Sequence, residues 1–112
     1  MQPLSESEMK RITEVIDRAR VPYHTRPSAE DVARLVDDLI TCGQRLRERV
    51  AAIAVSRRSP RAAGALADWE YFVTAGPLDP GGCANWNYAR GLGRIVCSME
   101  KAIREYQPST AL

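Results

Sequence analysis

The sequence predicts an all-α fold, an antiparallel four-helix bundle with helices over about residues 6–20, 29–56, 60–75 and 84–106. Three observations lead there. Apolar residues recur every third or fourth position through four long segments, and no stretch alternates with period two over strand length. Serine and proline punctuate those segments at their starts and stops. The connections are short, which favours antiparallel neighbours and an up-down-up-down order.

The first helix opens at Ser5, with Glu8 three residues on, the S-x-x-E pattern of a capping box. Met9, Ile12, Ile16 and Ala19 form its apolar face, and Val21-Pro22 ends it. It is short, so packing across the other three helices is an alternative to a regular bundle. A linker, Pro22 to Pro27, follows.

Ser28 caps the second helix, and Asp31 stands where it can answer the cap. Its stripe is Val32, Leu35, Val36, Leu39, Gly43, Leu46, Val50 and Ile53. Gly43 lies on that stripe at a cost of about 1 kcal/mol in helix propensity. Either a neighbouring helix comes close there or the helix kinks at Cys42-Gly43.

Ser59 as cap and Pro60 at the first helical position start the third helix. Ala62, Leu66, Trp69 and Val73 line one face with Phe72 beside them, and Gly76-Pro77 stops it. The fourth helix starts at Ala84 or Asn85. Tyr88, Leu92, Ile95, Met99, Ile103 and Tyr106 line its face with Val96 alongside, and Pro108 is its expected stop before a frayed tail.

A chain of 112 residues is one domain and can bury a core without metal or disulfide support. Net charge is only +2, so no global field points to nucleic acid or an anionic membrane. No apolar run is long enough for a membrane span, and residues 1–10 lack the basic-then-apolar order of a signal peptide, so the expected location is the cytoplasm. Cys42, Cys83 and Cys97 show no C-x-x-C spacing, and His24 is the one imidazole. A zinc site would need these four to converge from distant segments, so buried thiols, no metal and no cofactor are expected.

Chemistry-bearing residues are densest from Gly76 to Arg90. Asp79-Pro80-Gly81-Gly82 reads as a turn into the fourth helix, with Asn85 as a cap; a Gly-rich segment before a helix is also the basic form of an anion cradle. Neither a phosphate-loop nor a dinucleotide fingerprint is present. Trp86 is either core or a pocket wall shared with Trp69, Tyr71 and Tyr88. Arg90 and Arg94, one turn apart, can grip a carboxylate or phosphate, pair with Asp68 and Glu70, or face water. The candidate ligand-binding residues are therefore Trp69, Cys83, Asn85, Trp86, Asn87, Arg90 and Arg94. His24 and Cys83 fall at the same end of an up-down bundle, which permits a Cys/His pair but gives catalysis little else, and no catalytic residue is assigned.

Residues 41–61 carry six arginines (Arg45, Arg47, Arg49, Arg57, Arg58 and Arg61) against one acid, Glu48. That excess suits an acidic partner or nucleic acid. The arginines are spread round the helix without interleaved aromatics, and Ala62 to Ala67 offers little to base edges, which weighs against nucleic acid.

The run Ala29-Glu30-Asp31-Val32-Ala33-Arg34-Leu35, the Gly76-Pro77 stop, and Tyr88-Ala89-Arg90-Gly91-Leu92-Gly93-Arg94 carry a resemblance. Over about residues 20–106 the chain resembles small, all-helical actinobacterial proteins labelled as natural-product biosynthesis proteins. The resemblance implies a helical fold and a place beside such a pathway; it implies no known active site, so no catalytic residue carries over. Cys83-Ala84-Asn85-Trp86-Asn87 lies outside the shared pattern. Three functions follow as expectations: a non-catalytic interaction or accessory protein, self-associating or meeting a protein partner; a small-molecule binder or pathway enzyme with its site at the Tyr23/His24 and Cys83–Arg90 end; and a nucleic-acid binder using Arg45–Arg61. The first is preferred.

Overall fold

Serine caps begin three of the helices, as the pattern of hydroxyls before apolar runs requires. In the computed structural model, which describes residues 4–77 and 82–110 and the side chains among them except at 82–84 and 107–110, the order is α1 (Glu6–Arg18), α2 (Ala29–Ala51), α3 (Pro60–Ala75) and α4 (Gly82–Thr110). Short 3₁₀ turns, Tyr23–Thr25 and Val55–Arg57, sit in the first two connections. The class is all-α.

Each start has its mechanism. The Glu8 N–H donates to Ser5 Oγ at 3.1 Å and the Ser5 N–H to Glu8 Oε1 at 3.3 Å, a complete capping box. The Asp31 N–H donates to Ser28 Oγ, but Asp31 turns its carboxylate to Arg34 instead of returning the bond. The Ala62 N–H donates to Ser59 Oγ, with Pro60 opening the first turn of α3.

The ends differ from expectation in four places, the first being α1, which closes at Arg18 and not near residue 20. α2 stops at Ala51, about a turn before residue 56, and the chain tightens into the 3₁₀ turn. Arg58 explains the stop: its Nε and Nη2 donate to the carbonyls of Ile53 and Ala51 at 3.0 and 2.9 Å. A cation thereby serves carbonyls left open at the helix C-terminus, where the dipole favours it. α4 begins at Gly82, so Asn85 lies inside its first turn and is not the cap. α4 also runs past Pro108 to Thr110. The predicted turn at Asp79-Pro80-Gly81 lies outside the described residues.

The chain alternates direction, so α2 and α4 run parallel, and they share the broadest contact in the molecule. α1 lies in the groove on one side of that pair, α3 lies in the groove on the other, and α1 and α3 do not touch. The section is therefore a rhombus, about 27 by 19 Å across, and not a square. The core runs along the short diagonal: Leu35, Leu39, Leu46 and Val50 from α2 meet Leu92, Val96, Met99 and Ile103 from α4, all at or near zero exposure.

α3 is held by rings on glycines. The far edge of the Trp69 indole occupies the space a side chain at position 43 would take, and Phe72 does the same at Gly91. The close approach at Gly43 is real, and α2 continues through it. On the other side Ala19 meets Gly93 of α4. There α1 is pinned to α2 by ion pairs: Arg18 with Asp38 at 2.8 Å and Arg49 with Glu8 at 2.8 Å.

Candidate functional site

The residues singled out by sequence separate into interior and surface. Trp69 and Trp86 are each 1% exposed. Trp69 faces Gly43 of α2. Trp86 sits seven positions before Gly93, on the flank of α4 that α1 approaches. The indoles therefore lie on opposite sides of the α2–α4 pair, and no wall common to both is built. Tyr88 belongs to the α3 side: its ring stacks on Phe72 at 6.1 Å and its hydroxyl donates to the Phe72 carbonyl at 3.1 Å. Burial pushes the Tyr88 phenol up from its ordinary value. Tyr71 points outward, 67% exposed.

Asn85, Asn87 and Arg94 are exposed and Arg90 is half-buried, along the outer part of α4. Arg90 and Arg94 meet no acid among the described residues; Glu70 is taken by Arg47 at 2.7 Å. The side chain of Cys83 lies outside the described residues, so its pairing with His24 is not placed; His24 itself is exposed on the first 3₁₀ turn. Cys42 is buried between α1 and α2, and the half-buried Cys97 receives an N–H from Arg20 at 3.3 Å. Among the described residues no three His, Cys, Asp or Glu side chains gather as metal ligands.

The arginine-rich stretch is largely engaged by its own chain. Arg47 pairs with Glu70, Arg49 with Glu8, Arg61 with Glu105, and Arg58 caps α2. Only Arg45 and Arg57 of the six lack such a partner among the described residues. No described helix is long and apolar enough to cross a membrane.

The surface that the sequence reading passed over is the outer face of α3. Ala63, Gly64, Ala67, Tyr71 and Thr74 all face solvent, at the spacing of a single helical stripe. None is charged; Asp68 and Glu70 flank it. The outer faces of α1, α2 and α4 instead carry charges such as Arg11, Glu14, Arg34, Glu48, Arg94 and Lys101. α3 is thus apolar or small round most of its circumference, a pattern expected of a helix covered on more than one side. The signal was present in Ala62-Ala63-Gly64-Ala65-Leu66-Ala67, as an absence of charge where an outward face needs it.

Comparison of the chain with protein-family models, with curated proteins and with solved structures finds no match.

Proposed function

We propose that the chain is a non-catalytic helical interaction protein, and that it associates with a second copy of itself through the outer face of α3. One observation carries the reading: an open ring and an open glycine lie on the same uncharged stripe. Tyr71 is 67% exposed, and a side chain added at Gly64 would meet nothing within 4 Å. Within the fold, Trp69 and Phe72 each press on a glycine of a neighbouring helix. Two α3 helices crossing antiparallel about a point just past Ala67 would set Tyr71 of each copy against Gly64 of the other, since 64 and 71 are equidistant from that point. Such a contact is isologous, the commonest form of self-association.

At about 1.5 Å per residue, α3 is about 24 Å long. A single-helix contact of that length falls short of the ~800 Å² per partner of standard interfaces, so the dimer is weak and concentration-dependent. The resemblance over residues 20–106 supports placing this role beside a bacterial natural-product pathway.

Sedimentation velocity from micromolar to millimolar protein tests the reading. The wild-type coefficient should rise with concentration, and Tyr71→Ala and Gly64→Leu should each abolish the rise while leaving the circular dichroism spectrum unchanged. A wild type that stays monomeric throughout, or a dimer indifferent to both substitutions, would overturn it.

A further inference from the structure

On the side of the molecule away from α3, α1 and α2 line an open groove of about 300 Å³. That volume is at the small end of ligand sites. Its floor is apolar: Ile12 from α1, Cys42 and Leu46 from α2. Its rim is cationic. Arg11 stands on the α1 side and Arg45 on the α2 side, with the Thr41 hydroxyl one turn from Arg45.

Six arginines of the described surface, Arg18, Arg34, Arg47, Arg49, Arg61 and Arg104, each meet a carboxylate. Arg11 and Arg45, like Arg57, Arg90 and Arg94, meet none among the described residues, and Arg11 and Arg45 share one groove. The carboxylate at its edge, Glu8, is held by Arg49. Arg49 has a second guanidinium nitrogen, Nη1, that is buried and finds no acceptor. A groove of similar size at the opposite end of α1, about 360 Å³, is the contrast: its arginines, Arg18 and Arg34, are both matched, by Asp38 and Asp31. The charge on both rim groups also reaches the floor. Burial pushes the Cys42 thiol up, the fields of Arg11 and Arg45 pull it the other way, and the Glu8 carboxylate adds a smaller push upward. Two like charges facing one concavity repel until an anion enters between them.

We infer that the α1–α2 groove binds a small organic anion, a carboxylate or phosphate monoester carrying a compact apolar group. The anionic head lies between Arg11 and Arg45, where each planar guanidinium can donate to two oxygens at once, and the Thr41 hydroxyl donates to it. The apolar part covers Ile12, Cys42 and Leu46. This site is independent of α3 and of self-association.

Proton–nitrogen correlation spectra of the full chain, titrated separately with phenyl phosphate, benzoate, inorganic phosphate and phenol, test the inference. Saturable shifts at the amides of Thr41, Cys42 and Arg45 with phenyl phosphate or benzoate are expected, and which of the two binds tighter identifies the head group. The Arg11→Gln, Arg45→Gln double variant should bind at least about tenfold more weakly, with an unchanged melting curve because both side chains are exposed. Three results would overturn the site: no saturable shift with either organic anion, equal affinity for inorganic phosphate or phenol, or undiminished binding in the double variant.

Discussion

α1 and α3 occupy opposite grooves of the same parallel pair, yet they are attached by different physics. α3 has rim ion pairs of its own, Arg47–Glu70 and Arg61–Glu105, but it is seated by shape. Trp69 and Phe72 fill spaces that exist only because residues 43 and 91 are glycines, and Tyr88 stacks behind Phe72 and donates to its carbonyl. α1 buries Ile12, Val15, Ile16 and Ala19, but its alignment is set at the rim by Glu8–Arg49 and Arg18–Asp38. A ring wedged on a backbone tolerates almost no change of volume. A rim ion pair in partial contact with water contributes little and can be re-formed. Both helices carry two rim ion pairs, so the contrast lies in packing: the wedged side should be the stiffer to mutation, and the side without a ring on a glycine the more yielding.

Removing the wedge should give the largest effect. Trp69→Ala leaves a cavity facing Gly43 and should cost about 3–5 kcal/mol in urea unfolding. A loss under about 1 kcal/mol would mean that the indole does not anchor α3. Gly43→Ala comes next. Alanine gains about 1 kcal/mol of helix propensity, but its methyl meets the ring, and overpacking of this kind costs about 1–3 kcal/mol. A net loss is expected in the wild-type background. In the Trp69→Ala background the same substitution should become stabilising, and a double-mutant cycle reads the sign change directly. Additive behaviour would show that the two residues are not coupled.

The α1 side should respond more gently. Glu8→Gln should cost at most about 1 kcal/mol, because both partners are partly exposed. The cost should shrink as sodium chloride is raised, and a salt-independent loss would argue for packing instead. Acid should act through the same pair. The hydrogen bond from Arg49 holds the Glu8 carboxyl below its ordinary value despite partial burial, with help from the Ser5 backbone. A depressed carboxyl contributes stability in full above its unfolded pKa, about 4.3, and loses it as pH falls through the folded value. Wild type should therefore lose more stability than Glu8→Gln on acidification below about pH 4. Parallel pH profiles for the two proteins would show that Glu8 takes no part in acid unfolding.

Much of the secondary structure could be read from local signals. The Ser5/Glu8 box and the Ser59-Pro60 start lie in adjacent residues and act within a single turn. Helix ends were less legible. At the stop of α2 Arg58 reaches back to Ala51 and Ile53, and Pro108 was read as a terminator where α4 continues to Thr110. The width of the buried face was also hidden. α4 buries Trp86, Ala89, Gly93 and Ala102 beyond its predicted stripe because it lies at the centre of the rhombus and is covered from three directions.

Of the proposed ligand residues, the aromatic ones could not be placed from spacing. An indole near the end of an apolar stripe suits a core or a cavity wall equally well, until the neighbouring helix supplies a glycine beneath it or not. Arginines pose the same difficulty: six in the 41–61 region looked alike in sequence, and four found partners in their own chain.

Periodicity and capping chemistry, acting over one or two turns, were enough to make this chain four helices with apolar faces. Which helices form the central pair, which arginines stay uncompensated around the α1–α2 groove, and which glycine remains open to a partner were decided by the tertiary structure. Those outcomes depend on contacts between residues tens of positions apart, and no local energy in the chain distinguishes Gly43 under its indole from Gly64 under none.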